Sequence, residues 1–177
     1  ETWEGPIDTG DVPENGSFFD VIVVGGGPSG SAAASYNALN GCKVLLIEKE
    51  VWPRDKICGD AVGGKSLSHV KELGVKEMVE ATPHFMVDSI VFGSANGSTV
   101  KVMLPQDEFE KKMAGYSLPR MQFDYMMFKR ATEIVTNAGG SVIQGFNVKG
   151  VLEEEGQITG ISGSFGGRSA KNPTLSF

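Results

Sequence analysis

Cysteine is scarce in this chain. The 177 residues hold only Cys42 and Cys58, too few for a disulfide framework, so a reducing cytosol is the expected setting. Two histidines, His69 and His84, stand apart from each other and from both thiols. That gives no zinc spacing, and no metal is expected. No stretch approaches the length of apolar sequence that a membrane-spanning helix needs, which leaves contact with a membrane surface open. The opening lacks a cationic region followed by an apolar run, so no signal peptide is read. Positive charge is missing from residues 1–20, which carry Glu1, Glu4, Asp8, Asp11, Glu14 and Asp20 and no Lys or Arg. Setting those six aside from the 22 acids leaves 16, matched by 16 bases. The remainder is neutral, without the basic footprint of a nucleic-acid binder. The acidic opening, with Pro6 and Pro13, is expected to be a disordered or loosely attached extension over residues 1–18.

Glycine is abundant, at 24 residues, and its placement organises the chain. The β-branched run Val21-Ile22-Val23-Val24 ends at three glycines and predicts a strand buried on both faces of a parallel sheet. Pro28 to Asn40 is rich in small residues and predicts a helix closed by Asn40-Gly41. Lys43 to Glu48 predicts a second buried strand. Strand, glycine turn, helix and strand form a βαβ unit. Further on, Lys65 to Leu73 predicts a helix stopped by Gly74. Ser89–Gly93 and Ser98–Leu104 predict a hairpin around Asn96-Gly97 that could floor a substrate site. Gln106 to Lys112 is charged and expected to be exposed. Met121 to Ala138 predicts an amphipathic helix, with Phe123, Met127, Ala131, Ile134 and Ala138 on its apolar face. Ser141–Ile143 predicts a strand, and Val148–Leu152 with Gln157–Ile161 a hairpin. Ser162 to Phe177 reads as an irregular tail.

Gly25-Gly26-Gly27-Pro28-Ser29-Gly30 matches G-x-G-x-x-G in the context that gives this motif meaning, between a strand and a helix. Gly25 permits the tight turn. Gly27 lets backbone approach a pyrophosphate, and Gly30 lets helix and strand pack closely. The bare amides and positive dipole end of the helix then hold the anion, with Ser31 as a further donor. Glu48 ends the second strand, where a carboxylate can accept both ribose hydroxyls and repel a 2′-phosphate. These residues alone do not choose between FAD and NAD.

Two further stretches carry chemistry. Arg54 to Gly64 mixes charges, glycines and Cys58 without periodicity, as site-serving loops do. Arg54 and Lys56 are positioned in sequence to make Cys58 a reactive thiol; a buried, inert Cys is the other reading. Arg120 opens the amphipathic helix after Pro119, and an anionic partner would offset its charge there; a solvated Arg is the alternative.

Together these pieces resemble the geranylgeranyl reductase family of FAD-dependent oxidoreductases, in the p-hydroxybenzoate-hydroxylase-like flavoprotein class. The residues that carry the resemblance are Asp20 to Ser31, Glu48-Lys49, Lys56-Ile57-Cys58-Gly59-Asp60-Ala61-Val62-Gly63, and Leu118-Pro119-Arg120 with Phe123-Asp124. It covers about residues 20–160. The resemblance implies an α/β fold: a Rossmann-type FAD-binding βαβ domain (19–84 and 120–161) with part of a β-rich substrate domain (85–119). It implies FAD as cofactor, with Gly25, Gly27, Pro28, Gly30, Ser31, Glu48 and Lys49 at its ADP half. Cys58, Gly59 and Ala61 would lie along the flavin and Arg120 against the cofactor, with Cys58 a catalytic candidate as proton donor. It implies reduction of isoprenoid C=C bonds in prenyl lipids or chlorophyll precursors, fed by NAD(P)H or a ferredoxin-like donor. Membrane-peripheral contact and a cytoplasmic or organellar location would suit such a substrate. A flavin monooxygenase or halogenase of the same fold, or a non-catalytic dinucleotide-binding fragment, are the alternatives. The family's second flavin motif is absent and the first residue is Glu, so a fragment or a frame-shifted end is expected.

Overall fold

The structure is a computed structural model that describes residues 5–104, 115–166 and 174–177. In chain order the elements are β1 (Val21–Val24), α1 (Pro28–Leu39), β2 (Val44–Ile47), β3 (Ala61–Gly63), α2 (Ser66–Glu72), α3 (Lys76–Glu80), β4 (Phe85–Val87), β5 (Ser89–Gly93), β6 (Thr99–Met103), β7 (Gly115–Ser117), α4 (Arg120–Asn137), β8 (Ser141–Ile143), β9 (Phe146–Glu154), β10 (Gln157–Phe165) and β11 (Leu175–Ser176). They fall into two compact units, Glu1–Asp55 with Asp124–Phe177, and Lys56–Phe123. The expected segment Gln106 to Lys112 lies outside the described residues.

The first unit is built on the βαβ crossover. β1, β2 and β8 form a sheet in the order β1-β2-β8, with β1 parallel to β2 from Val21↔Val44 to Val24↔Ile47 and β2 parallel to β8. β2 is the central strand and is wholly buried, as its unbroken apolar run requires. β1 differs from expectation. It is half-buried, with Val24 56% exposed, because it pairs on one side only among the described residues. α1 turns Ser31, Ala34, Ser35 and Ala38 inward, a stripe of small side chains that lets the helix lie close to the sheet.

The antiparallel strands β9, β10 and β11 make a second sheet. Its hairpin turn carries Glu155 and Gly156 at φ 50° and 79°, the paired left-handed geometry that matches strand twist. Phe19, Leu45, Ile47, Ile143, Phe146, Ile161 and Phe177 share one core. The terminal segment is therefore not the irregular tail expected. β10 continues to Phe165, and Leu175–Ser176 pairs with Gly163 and Ser162. Phe177 exchanges both backbone hydrogen bonds with Ile161, at 3.0 and 3.1 Å. Alternation of Leu175 and Phe177 around Ser176 was too short to register as a strand period.

The acidic opening is likewise held to this unit over its described residues. Ile7 is buried, Gln144 Nε2 donates to the Ile7 carbonyl at 2.7 Å, and Tyr125 Oη donates to that of Gly5 at 3.0 Å. Gly16 N donates to the Ser176 carbonyl, and Asn15 Oδ1 accepts the Ser176 amide. One apolar residue and several backbone bonds fix a segment whose composition suggested none. α4 is buried at six consecutive positions, Phe123 to Phe128, rather than along one apolar stripe, and the opening segment meets it at Tyr125; Ala138 is exposed.

In the second unit β3, β7 and β4 form an antiparallel sheet in the order β3-β7-β4, preceded in sequence by none of the long runs that announce strands. β5 and β6 form the expected hairpin, closed by Asn96 and Gly97, the latter at φ 87°. Its facing pairs Ile90↔Val102 and Phe92↔Val100 put four apolar side chains on one exposed face. α2 ends at Gly74, φ 72°, as expected. No helix among the described residues is long and apolar enough to cross a membrane.

Phe177→Ala tests the terminal strand. Truncating this buried ring should cost about 3 kcal/mol of stability, read as a lowered thermal midpoint; an unchanged midpoint would remove Phe177 from the core.

Candidate functional site

The glycine turn leaves the end of β1 and enters α1 under the control of β2. Gly25 has φ 108°, which favours glycine, and its amide donates to the Ile47 carbonyl at 2.7 Å. Pro28 occupies the first helical turn, where its missing N–H is no loss. A Cβ at Gly30 would collide with the Gly25 carbonyl oxygen, the close helix–strand approach expected of that position. Gly27 is different. Among the described residues a Cβ there would meet only Arg54 Nη2, at an ordinary 3.6 Å, so its backbone stays approachable beside the guanidinium. No side chain caps the start of α1 and no acid sits in its first turn. Its amides and positive end therefore face that space without a side-chain acceptor.

Ser31 does not serve as expected. It is fully buried, its hydroxyl donates to the Gly26 carbonyl at 3.1 Å, and its amide donates to Gly27 O. Both donors hold the turn, and neither is left for an anion. Gly26, to which the motif assigns no role, is among the most constrained positions. A Cβ there would stand 2.5 Å from the Phe128 ring.

Glu48 sits against this turn. Its side chain is 6% exposed. Oε2 accepts the Gly26 amide at 2.7 Å and Oε1 that of Glu50 at 3.0 Å. Arg54, with an 11% exposed side chain, lies between two buried carboxylates. Its Nη2 is 3.8 Å from Glu48 Oε2 and its Nη1 3.7 Å from Asp124 Oδ2. The guanidinium carbon sits 4.4 Å from the Trp52 ring centre, and Trp52 stacks on Phe128 at 5.3 Å. Three flat groups are thus layered beside the glycines. At 3.8 and 3.7 Å both ion pairs are longer than hydrogen bonds, so the two terminal nitrogens of the fork keep donor capacity for a further anion.

Beyond β2, Lys49 pairs with Glu50 at 3.8 Å in a largely exposed ion pair that contributes little. These two residues with Val51, Gln144, Gly145, Asn147, Phe165 and Gly166 line a cavity of about 790 Å³.

The second unit holds the Cys58 cluster. Cys58 is exposed. Arg120 Nη1 donates to its sulfur at 2.7 Å and to the Gly59 carbonyl at 3.4 Å. The Arg120 amide donates to Asp60 Oδ1 at 3.1 Å, and the Leu118 amide to the Asp60 carbonyl. Ala61 opposes Ser117 across β3 and β7. Arg120 thus finds a thiol, a carbonyl and a carboxylate within its own unit. Arg120 is a cation on Cys58, and Arg54 takes part in the Glu48 cluster of its own unit. Asp60 puts a negative charge at the start of α4, where the helix dipole favours one.

The sequence reading missed Arg54 at the glycine turn, Asp124, Trp52 and Gly26. Asp124 had a signal: an acid followed by Tyr125, Met126, Met127 and Phe128 is on a buried helix face and needs a cation.

The family of FAD dependent oxidoreductases matches residues 20–168. Conditioned medium factor receptor 1 of Dictyostelium discoideum is 44% identical over 84 residues, 47% of this chain and 16% of the relative. Digeranylgeranylglycerophospholipid reductase of Methanocella arvoryzae is 35% identical over 155 residues, 83% of this chain and 35% of the relative. The chain thus spans about a third or less of the length of these relatives. The myxobacterial chondrochloren halogenase CndH, an FAD-dependent enzyme, superposes with a TM-score of 0.73 at 24% identity, over 89% of this chain and 35% of that one. At that identity the likeness concerns the fold.

Gly26→Ala is expected to lower stability by about 2 kcal/mol, since the Phe128 ring must move to admit a methyl group. Gly27→Ala meets no such obstacle and should melt near the parent. Equal thermal midpoints for both would show that no ring lies on Gly26.

Proposed function

This chain belongs to the FAD dependent oxidoreductase family, and from that premise we propose that it is part of a flavoenzyme reducing isoprenoid C=C bonds. The observation that carries the cofactor half is the approachable backbone of Gly27, flanked by uncapped helix amides and an Arg54 fork whose terminal nitrogens stand beyond hydrogen-bond distance of both acids. An adenine dinucleotide's pyrophosphate fits that combination of a missing Cβ, a helix N-terminus and a guanidinium. Each Glu48 oxygen accepts one amide and keeps a lone pair for the ribose hydroxyls. A cofactor so placed would direct its adenine past the end of β2, toward the cavity lined by Val51 and Phe165.

When bound, reduced FAD supplies a hydride for one carbon of the double bond, and a proton must reach the other. We assign Cys58 as the candidate for meeting the substrate there: it is solvent-accessible, and Arg120 fixes its sulfur. Gly59 and Ala61 would let a flat ring lie against the loop backbone. The substrate class is supported by the reductase relative, whose name specifies a digeranylgeranyl lipid. Electrons would come from NAD(P)H or a ferredoxin-like donor.

Flavin binding is the first check. The purified chain should quench FAD fluorescence, and Glu48→Gln should weaken that binding at least tenfold, because an amide nitrogen then faces a backbone N–H. Failure of the parent to bind FAD would refute the cofactor assignment. For the chemistry, anaerobic incubation with reduced flavin and a geranylgeranyl lipid should add two hydrogens per double bond. A product formed only with oxygen would favour the monooxygenase or halogenase reading. Cys58→Ser should slow saturation about a hundredfold if the thiol moves the proton, with FAD affinity retained; unchanged turnover removes it.

A further inference from the structure

We propose that Gln144 is a positioning residue, which couples the amino-terminal segment to the Arg54 end of the cofactor site. This rests on the reading that FAD binds at the glycine turn.

Gln144 follows β8, and its carboxamide is engaged at both ends. Oε1 accepts the Trp52 amide at 2.9 Å, and Nε2 donates to the Ile7 carbonyl at 2.7 Å. These partners fix the amide's orientation, since a flipped carboxamide would set donor against donor and acceptor against acceptor. On one side of Gln144, Trp52 is 1% exposed, stacked on Phe128 and carrying Arg54 on its ring. Arg54 Nη2 in turn reaches to 3.6 Å from the vacant Cβ position of Gly27. On the other side, Ile7 is 9% exposed, and Tyr125 Oη binds the carbonyl of Gly5. Ile7, Gln144, Trp52, Arg54 and Gly27 thus form a continuous run of contacts from the opening segment to the phosphate cradle. All lie in one compact unit.

Residues 5–8 have no reason from composition to be ordered, and Gln144 gives them one. In return, their attachment holds the carboxamide that holds the Trp52 backbone. The guanidinium keeps its place over the glycines because the ring beneath it cannot shift. Coupling of this kind is reciprocal: whatever engages Arg54 should also tighten the opening segment.

The test uses the 177-residue chain with Trp3→Phe as parent, leaving Trp52 as sole tryptophan reporter. Gln144→Leu removes both hydrogen bonds. It should weaken FAD binding about fivefold to tenfold and raise iodide quenching of Trp52. Gln144→Glu keeps an acceptor for Trp52 N–H but sets a carboxylate against the Ile7 carbonyl. It should release residues 5–8 to protease with a smaller loss of affinity. Removing residues 1–8 leaves Gln144 on the Trp52 amide, so it should match the smaller Gln144→Glu loss, and combined with Gln144→Leu it should lower affinity no further than Gln144→Leu alone. In an Arg54→Lys background, which keeps the charge without the stacked fork, Gln144→Leu should no longer alter FAD affinity. FAD should slow proteolysis of residues 5–8 in the parent.

A Gln144→Leu variant binding FAD like its parent overturns the inference alone. So does an equal loss with Arg54 or with Lys at that position, which would mark a general structural defect. A parent chain that binds no FAD overturns both the inference and the cofactor reading on which it rests.

Discussion

A carboxylate delivered to the end of a buried strand must find donors, and the rest of the site follows from where Glu48 finds them. β2 is apolar and inaccessible throughout, so it brings Glu48 to its end with little water to share. The amide of Gly26 meets it at 2.7 Å, and that of Gly25 binds the last carbonyl of β2. The glycine turn is thereby bound to the neighbouring strand twice, once through backbone and once through a charged side chain. A charge-assisted hydrogen bond in such surroundings is stronger than a neutral one. The turn's shape is thus fixed before any ligand arrives.

Arg54 answers the electrostatic problem that Glu48 creates. Two carboxylates, Glu48 and Asp124, are nearly inaccessible, and the Arg54 guanidinium lies between them. Removing one partner from such a group is far costlier than the net worth of the group itself. The pairs are held at long range, with the cation stacked on Trp52 rather than pressed onto either acid. An arginine fixed by a ring keeps its fork planar and oriented while retaining donors. Lysine could supply the charge but not the plane.

Much of the βαβ unit was legible. Buried strands announce themselves as β-branched runs, and Asn40-Gly41 and Gly74 mark helix ends by a backbone need that few other residues meet. The roles of Gly25 and Gly30 could be assigned from the motif because each serves a local steric purpose. Three features stayed out of reach. Arg54 is close to Cys58 in sequence, yet it joins Glu48 because Trp52 is buried alongside Phe128, a contact across the fold. Ser31 looked like a donor for an anion, but a small hydroxyl inside a tight turn finds the turn's own carbonyl first. Residues 5–18 and 174–177 look unpatterned, since two or three side chains carry their attachment and no period can emerge from so few.

The contact between Gly26 and Phe128 bears on how such a motif is read. The second position of G-x-G-x-x-G is written as free, yet here the ring from α4 occupies the volume that any side chain would need. Positions 26 and 128 are therefore one steric unit shared by a loop and a distant helix. A chain that enlarges the first must shrink the second, so an uninterrupted glycine triplet marks an aromatic neighbour as much as a phosphate.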